Sequence, residues 1–141
     1  MTNQIVSIHT DGASRGNPGQ AAIAFVIEGL PLGRVEYKKT IGIFSNNQAE
    51  YRAMLAALEK LVELGLKDSE ILFRADSELM IKQIKGEYRV KDANLRPLYE
   101  QVMMHLGELK ASGNQLQFVA VRRELNKDAD RLANEALDGN N

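Results

Sequence analysis

The chain has 141 residues, 44% hydrophobic and 26% charged, and its formal net charge of −1 argues against a strongly basic nucleic-acid protein. This length fits a single domain, residues 1–141, with a sizeable core, and the absence of cysteine excludes disulfides and thiolate metal sites and fits a reducing cytoplasm. No apolar run approaches 18 residues and the N-terminal MTNQIVSIHT lacks a signal-peptide pattern, so we expect neither a membrane span nor a leader.

The first predicted strand contains the apolar residues Ile5, Val6 and Ile8, and we expect it to end at Asp11. The residues behind it, 12–19 (GASRGNPG), are dense in turn formers. A single aspartate at the end of a strand is more often a turn former than a functional residue. Whether Asp11 is interpreted as a functional residue therefore depends on whether other acids occupy similar positions.

Two further strands are predicted at residues 20–29 and 33–43. The third alternates Val35, Tyr37 and Lys39 with polar residues, so its faces are expected to be partly exposed. Short glycine-containing connections on either side of residues 20–29 favour an antiparallel meander of three strands.

The clearest predicted helix covers residues 46–65, with Asn46 or Asn47 as its cap and Gly65 at its end. Glu50 falls near the centre of its apolar stripe, where a carboxylate is costly unless it is paired or bound to a metal. The alternative is a capping box between Asn47 and Glu50. The two interpretations are compatible.

A fourth strand is predicted at residues 69–75 and ends at Asp76, and a helix capped by Asp76 or Ser77 follows at once. Capping alone would explain Asp76. However, Asp76 repeats the placement of Asp11 after a strand, and sites in open α/β sheets lie at such strand ends. The stretch from Lys82 to Arg96 then carries a local net charge of +3.

The chain closes with a helix at about residues 94–112, a strand at 115–122 and a short helix at 126–137 that Asn126 is expected to cap. Asp128 and Asp130 flank the apolar stripe of this last helix nearly symmetrically. Helical geometry therefore does not say which of them has a function, and both would complement the helix dipole.

The element order β-β-β-α-β-α-α-β-α predicts an α/β fold with a mixed five-stranded sheet and helices on its faces. The right-handed crossover rule makes strands 1, 4 and 5 parallel neighbours, so Asp11 and Asp76 emerge side by side. With Glu50 and either Asp128 or Asp130, four carboxylates would then cluster. Their negative charge needs compensation, which Mg²⁺ or Mn²⁺ supplies at a site made only of oxygen ligands. Two such ions could clamp the attacking and leaving oxygens of a phosphodiester.

Four motifs in this order, DGASRGNPG, NNQAEYRAMLAAL, RADSELMI and NKDADRLANEAL, resemble those of type 1 ribonuclease H over about residues 4–137. The resemblance implies a ribonuclease H-like sheet with helices on both faces. It also implies an endoribonuclease that cuts the RNA strand of RNA–DNA hybrids with two Mg²⁺ ions, for which Mn²⁺ can substitute, leaving 5′-phosphate and 3′-hydroxyl ends. By match, the catalytic and metal-binding residues are Asp11, Glu50, Asp76 and Asp130.

The same resemblance places several polar residues against the substrate. Asn17, Asn46 and Asn47 match positions that touch the minor groove of the hybrid, where amides can meet sugar hydroxyls and base edges. Ser45 matches a hydroxyl that contacts phosphate, and Gly12, directly after Asp11, is grouped with the substrate-binding residues.

The chain departs from many members in two places and is similar to compact archaeal and Gram-positive-type proteins. A long basic insertion is absent, and we expect Lys85, Arg89 and Lys91 to provide a smaller substitute for it. A mobile histidine before the last acidic motif is also absent. Arg123, Arg122 or Glu124 would take its place, and we favour Arg123 as a phosphate contact.

Two alternatives stay open at this stage. The substrate is also, or mainly, double-stranded RNA, which some compact members cut, or the domain binds hybrids without cleaving them. The presence of all four acids argues against the second alternative. We further expect a cytoplasmic monomer with no membrane partner.

Overall fold

A computed structural model describes residues 4–139 of the chain. Residues 1–3 and 140–141 lie outside this range. The single-domain prediction and the argument against a leader also refer to these residues. The elements are β1 Gln4–Gly16, β2 Gly19–Glu28, β3 Val35–Phe44, α1 Asn46–Glu63, β4 Ser69–Ala75, α2 Glu78–Ile84, α3 Arg96–Ala111, β5 Gln115–Ala120, a 3₁₀ turn Arg123–Leu125 and α4 Lys127–Leu137.

The five strands form one sheet in the order β3-β2-β1-β4-β5. The pairs β1–β2 and β2–β3 are antiparallel, which confirms the predicted meander. The pairs β1–β4 and β4–β5 are parallel, as the crossover rule predicts. The mixed five-stranded sheet is therefore confirmed.

Helices cover both faces of the sheet, and β2 shows how the sequence divides between them. Phe25 and Ile27 belong to the main core, which α1 and α3 share with β1 and β4. The intervening Ala24 and Val26 face the other way and pack against Leu132 of α4, together with Ala133. Successive side chains of a strand point to opposite faces, so one strand supplies both cores.

Helix α4 is held by a small apolar contact and a larger set of ion pairs. Lys38 of β3 lies 3.0 Å from Glu135, and Arg34 lies 2.9 Å from Asp128. Arg15 of β1 lies 2.6 Å from Asp138, just beyond the helix. These partly exposed ion pairs border the apolar contact and add modestly to it.

Strand β1 is longer than predicted. It continues to Gly16 instead of ending at Asp11, and Asp11 pairs with Ala24 of β2. The turn-forming residues 12–16 are extended because β2 pairs with them along their whole length. The prediction used local turn propensity, and tertiary pairing overrides it.

The predicted cap of α1 is wrong, and that of α4 is confirmed in position only. The N-cap of α1 is Ser45, whose hydroxyl accepts from the Gln48 amide while the Gln48 side chain accepts from Ser45, so the capping box does not involve Asn47 or Glu50. Asn126 occupies the N-cap position of α4, but its side chain makes no capping hydrogen bond. Ser77 caps α2, one of the two predicted choices.

None of the helices within residues 4–139 combines the length and the apolar character that crossing a bilayer requires.

Candidate active site

The parallel pairing of β1 and β4 brings two predicted acids to one edge of the sheet. Their last paired residues are Thr10 and Ala75. Asp11 and Asp76 each follow directly, so both carboxylates start from the point where the parallel pairing stops. Asp11 is therefore not at a strand end, although it does lie at the end of the β1–β4 ladder.

Glu50 reaches the same place from α1, which packs directly across β1. The backbone N–H of Gly12 donates to Glu50 Oε1 at 2.8 Å. A Cβ on residue 12 would overlap the carbonyl group of Ala49 and the amide nitrogen of Glu50, so only glycine permits this approach. The capping box at Ser45 fixes where α1 begins and hence where Glu50 points.

The three carboxylates form a compact cluster. Asp11, Glu50 and Asp76 each offer an oxygen within 4.8 Å of the others, and the side chains of Asp11 and Glu50 are buried. Burial, then repulsion from Asp76 and Asp130, raises the pKa of Asp11 to about 8. Burial, then repulsion from Asp11, raises the pKa of Glu50 well above its ordinary value. The fully ionised cluster therefore needs a cation.

The structure separates the two aspartates that helical geometry could not. The charge of Asp130 acts on Asp11 and helps to raise the pKa of Asp11, and Asp130 Oδ1 lies 3.3 Å from Arg123. Asp128 points the other way, where it pairs with Arg34 and is largely exposed. Asp130 thus lies on the side of the acidic cluster, outside the three mutually close carboxylates, and Asp128 does not.

The chemistry of this donor set suits a hard divalent cation. Every candidate ligand in it is a carboxylate oxygen, and two of the carboxylates are too buried to ionise readily without a compensating charge. Asp11, Glu50 and Asp76 are the residues that would hold such an ion, and Asp130, the fourth predicted ligand, is not among these mutually close carboxylates.

A cleft of about 750 Å³ opens over the cluster. Asn46 and Arg123, two of the predicted substrate contacts, lie on its wall. Asn17 sits beside them, since its Oδ1 accepts from the Asn46 amide at 3.1 Å, and the Asn46 Oδ1 accepts from the Ser14 amide at 3.1 Å. Asn47 is exposed in the first turn of α1, while the Ser45 hydroxyl is engaged in capping.

The three basic residues predicted to replace the missing insertion, Lys85, Arg89 and Lys91, do not line this cleft. Arg89 and Lys91 border a separate depression of about 540 Å³, together with Tyr88, Arg96 and Tyr99. Lys85 lies at the end of α2, 3.5 Å from Glu87. Any contact they make with substrate is therefore remote from the acids.

Sequence reasoning missed four polar residues on the cleft wall, Ser14, Arg15, Glu78 and Asn134. The first two lie in the segment interpreted as a turn. Asn134 follows Asp130 by four residues, a spacing that places both on one face of α4, and its Nδ2 donates to the Asp130 backbone carbonyl at 2.9 Å. That spacing was a usable signal.

Comparisons with known proteins agree with this geometry. A family model described as reverse transcriptase-like matches residues 9–136. Ribonuclease HI of Halobacterium salinarum is 42% identical over 134 residues, which cover 94% of this chain and 64% of that protein. The bifunctional protein Rv2228c of Mycobacterium tuberculosis is 38% identical over 135 residues, which cover 94% of this chain and 35% of that protein. The chain thus spans only part of the length of each relative.

A solved structure shows the same fold. The crystal structure of LC11-RNase H1 in complex with RNA/DNA hybrid matches with a TM-score of 0.86 and 39% sequence identity. The match covers 95% of this chain and 97% of that one.

Proposed function

Because the chain belongs to the type 1 ribonuclease H family, we propose that it is a metal-dependent endoribonuclease that cuts the RNA strand of RNA–DNA hybrids and leaves 5′-phosphate and 3′-hydroxyl ends. The observation that carries this proposal is the cluster of Asp11, Glu50 and Asp76, which lines an open cleft. An open cleft over buried carboxylates suits a long polyanionic substrate whose charge cations must balance.

The proposed cofactor is a pair of Mg²⁺ ions, for which Mn²⁺ can substitute. Such ions, when bound, supply a Lewis acid that activates water and stabilises the leaving oxygen. The protein fixes the donors: the Gly12 amide holds Glu50 Oε1, and the β1–β4 ladder aligns Asp11 with Asp76. Because burial raises the pKa of both Asp11 and Glu50, any proton bound to either group must leave before that carboxylate can act as a ligand.

The proposed substrate contacts follow the cleft. Asn17, Asn46 and Asn47 stand together near the start of α1, and amides there can meet sugar hydroxyls, the groups that distinguish RNA from DNA. Arg123 is proposed to contact a phosphate, because this cation lines the cleft, where it lies 3.3 Å from Asp130. Lys85, Arg89 and Lys91 would contact phosphates outside the cleft.

The enzyme is proposed to act as a monomer, since all four acids come from one chain. The cytoplasm is the proposed compartment, because the proposed substrate is a nucleic acid. Double-stranded RNA is retained as an additional substrate to be tested, because the chain resembles compact members of the family.

The test is cleavage of an end-labelled RNA–DNA hybrid beside a matched RNA duplex, with Mg²⁺, Mn²⁺ or chelator, by the natural protein and by Asp76→Asn. We expect metal-dependent cutting of the hybrid's RNA strand that is lost in the variant. Cutting of the RNA duplex alone would mean that the substrate is double-stranded RNA and not the hybrid. Hybrid binding without cutting in either metal would overturn the enzymatic proposal and leave a binding module.

A further inference from the structure

Asn126 is a buried amide that the proposed chemistry does not use. It has no solvent exposure, and both ends of its side chain are engaged. Its Nδ2 donates to the backbone carbonyl of Thr10 at 2.9 Å, and its Oδ1 lies 3.0 Å from His9 Nδ1. An amide oxygen can only accept, so the proton of this second bond is on His9 Nδ1.

These bonds connect the two segments that carry Asp11 and Asp130. Thr10 immediately precedes Asp11 on β1, while the backbone carbonyl of Asn126 accepts from the Asp130 amide at 3.1 Å. Asn126 therefore contacts both segments. Its side chain binds β1 next to Asp11, and its backbone carbonyl binds the amide of Asp130 in the first turn of α4.

Helix capping does not explain the burial of this amide. Asn126 stands at the N-cap of α4, yet its side chain leaves the free amides of the first turn and crosses to β1 instead. A buried asparagine can serve packing alone, and Asn114 provides the comparison. Asn114 accepts from the Ser69 amide at 3.1 Å and donates to the carbonyls of Leu66 and Leu109, both at 2.9 Å, at the opposite end of β4 from Asp76.

We infer that Asn126, oriented by His9, is a positioning residue that sets the separation of Asp130 from Asp11 and thereby the affinity of the cluster for divalent cations. The inference deepens the proposed function and rests on it for its activity readout. Partners that orient metal ligands commonly change metal affinity or activity 10- to 100-fold when they are removed.

The experiment compares Asn126→Leu with Asn114→Leu, two changes of similar shape that each delete a buried amide without adding a charge. Three quantities are measured: Mn²⁺ binding to the metal-free protein by electron paramagnetic resonance, the Mg²⁺ concentration for half-maximal hybrid cleavage, and the free energy of unfolding in urea. We expect both variants to lose stability, and only Asn126→Leu to weaken Mn²⁺ binding and raise the half-saturating Mg²⁺ concentration, each by about tenfold.

Equal metal affinity in Asn126→Leu and the natural protein would overturn the inference, as would an equal shift in Asn114→Leu. If Asn126→Leu does not fold, His9→Phe decides: it removes the bond that orients the amide, so Mn²⁺ binding should weaken about threefold, and unchanged binding overturns the inference. If the natural protein cleaves no hybrid, the proposed function fails, while the Mn²⁺ measurement still tests the positioning role.

Discussion

The backbone amide of Gly12 donates a hydrogen bond to the carboxylate of Glu50, joining β1 to α1 one residue beyond Asp11. Gly12 therefore controls how closely the helix approaches the strand, and its replacement makes a sharp test of the site.

Gly12→Ala should destabilise the protein by about 1–3 kcal/mol and abolish most cleavage. The added Cβ would overlap the Ala49 carbonyl, which is backbone and cannot rotate away, so α1 must move off β1 and Glu50 with it. Urea unfolding and hybrid cleavage measure the two effects.

The matched control is Gly107→Ala in α3, where a Cβ meets nothing within 4 Å and should stabilise the helix by about 0.5–1 kcal/mol. A Gly12→Ala protein with normal cleavage would contradict the close approach.

Without divalent cations, the stability of the protein should fall as pH rises from about 5 to 8. The pKa of Asp11 is about 8 in the folded protein against an ordinary value of 3.8, so the folded state holds a proton that the unfolded state has lost. The stabilisation that this proton provides is complete below the ordinary pKa of 3.8 and disappears as pH rises through the folded pKa of about 8. Between these two values the free energy of unfolding should fall by about 1.4 kcal/mol per pH unit. Glu50 acts in the same direction.

Urea unfolding in chelator at several pH values measures this slope. Asp11→Asn should flatten it and should leave the metal-free protein more stable than the natural one at pH 8. Saturating Mg²⁺ should also reduce the slope, because the cation favours the ionised cluster. An identical slope in the natural protein and in Asp11→Asn would contradict the raised pKa.

Asp130→Asn should reduce cleavage by more than about 100-fold, beyond the loss typical of residues that only orient a metal ligand. Asp128→Asn should change it by less than about twofold, since Asp128 pairs with Arg34 on the outer side of α4, where exposed ion pairs contribute little. Steady-state cleavage of one hybrid by both variants gives the comparison. Equal losses would place Asp128 in the site and contradict its orientation in the structure.

Tyr51→Phe should lower the free energy of unfolding by about 1–3 kcal/mol, because it leaves the buried Gln83 Oε1 without its donor at 2.6 Å. Gln83 also donates to the Arg89 carbonyl at 3.2 Å, so the loss should loosen the segment that carries Arg89 and weaken hybrid binding at low salt. Filter binding in chelator measures the affinity. An unchanged free energy of unfolding in Tyr51→Phe would mean that this hydrogen bond does not stabilise the protein.

The convergence of the acids was predictable from particular features of the sequence. The crossover rule makes β1 and β4 parallel neighbours, which is enough to bring Asp11 and Asp76 to one edge, and the apolar stripe of α1 already contains Glu50. The orientation of Asp130 was not predictable from helical geometry, because it depends on which face of α4 meets β2. Among the sequence features, only the resemblance to the family indicated Asp130, whose charge acts on Asp11 in the structure.

The local errors have a common origin. Ser45, Asn46 and Asn47 are all good N-cap residues, and the choice of Ser45 depends on the reciprocal bond with Gln48. Asn126 has the right type and position for a cap, but the carbonyl of Thr10, distant in sequence, is the partner it finds. Short-range preference cannot identify a partner that the fold supplies.

The docking of α4 has a consequence for local opening. Its apolar contact consists largely of Ala24, Val26, Leu132 and Ala133, and α4 buries fewer residues than α1, while its partly exposed ion pairs contribute little. Backbone amides of α4 should therefore exchange with deuterium sooner than those of α1. Each opening would withdraw Asp130, so local unfolding of α4 would determine how long this carboxylate stays near the other three acids.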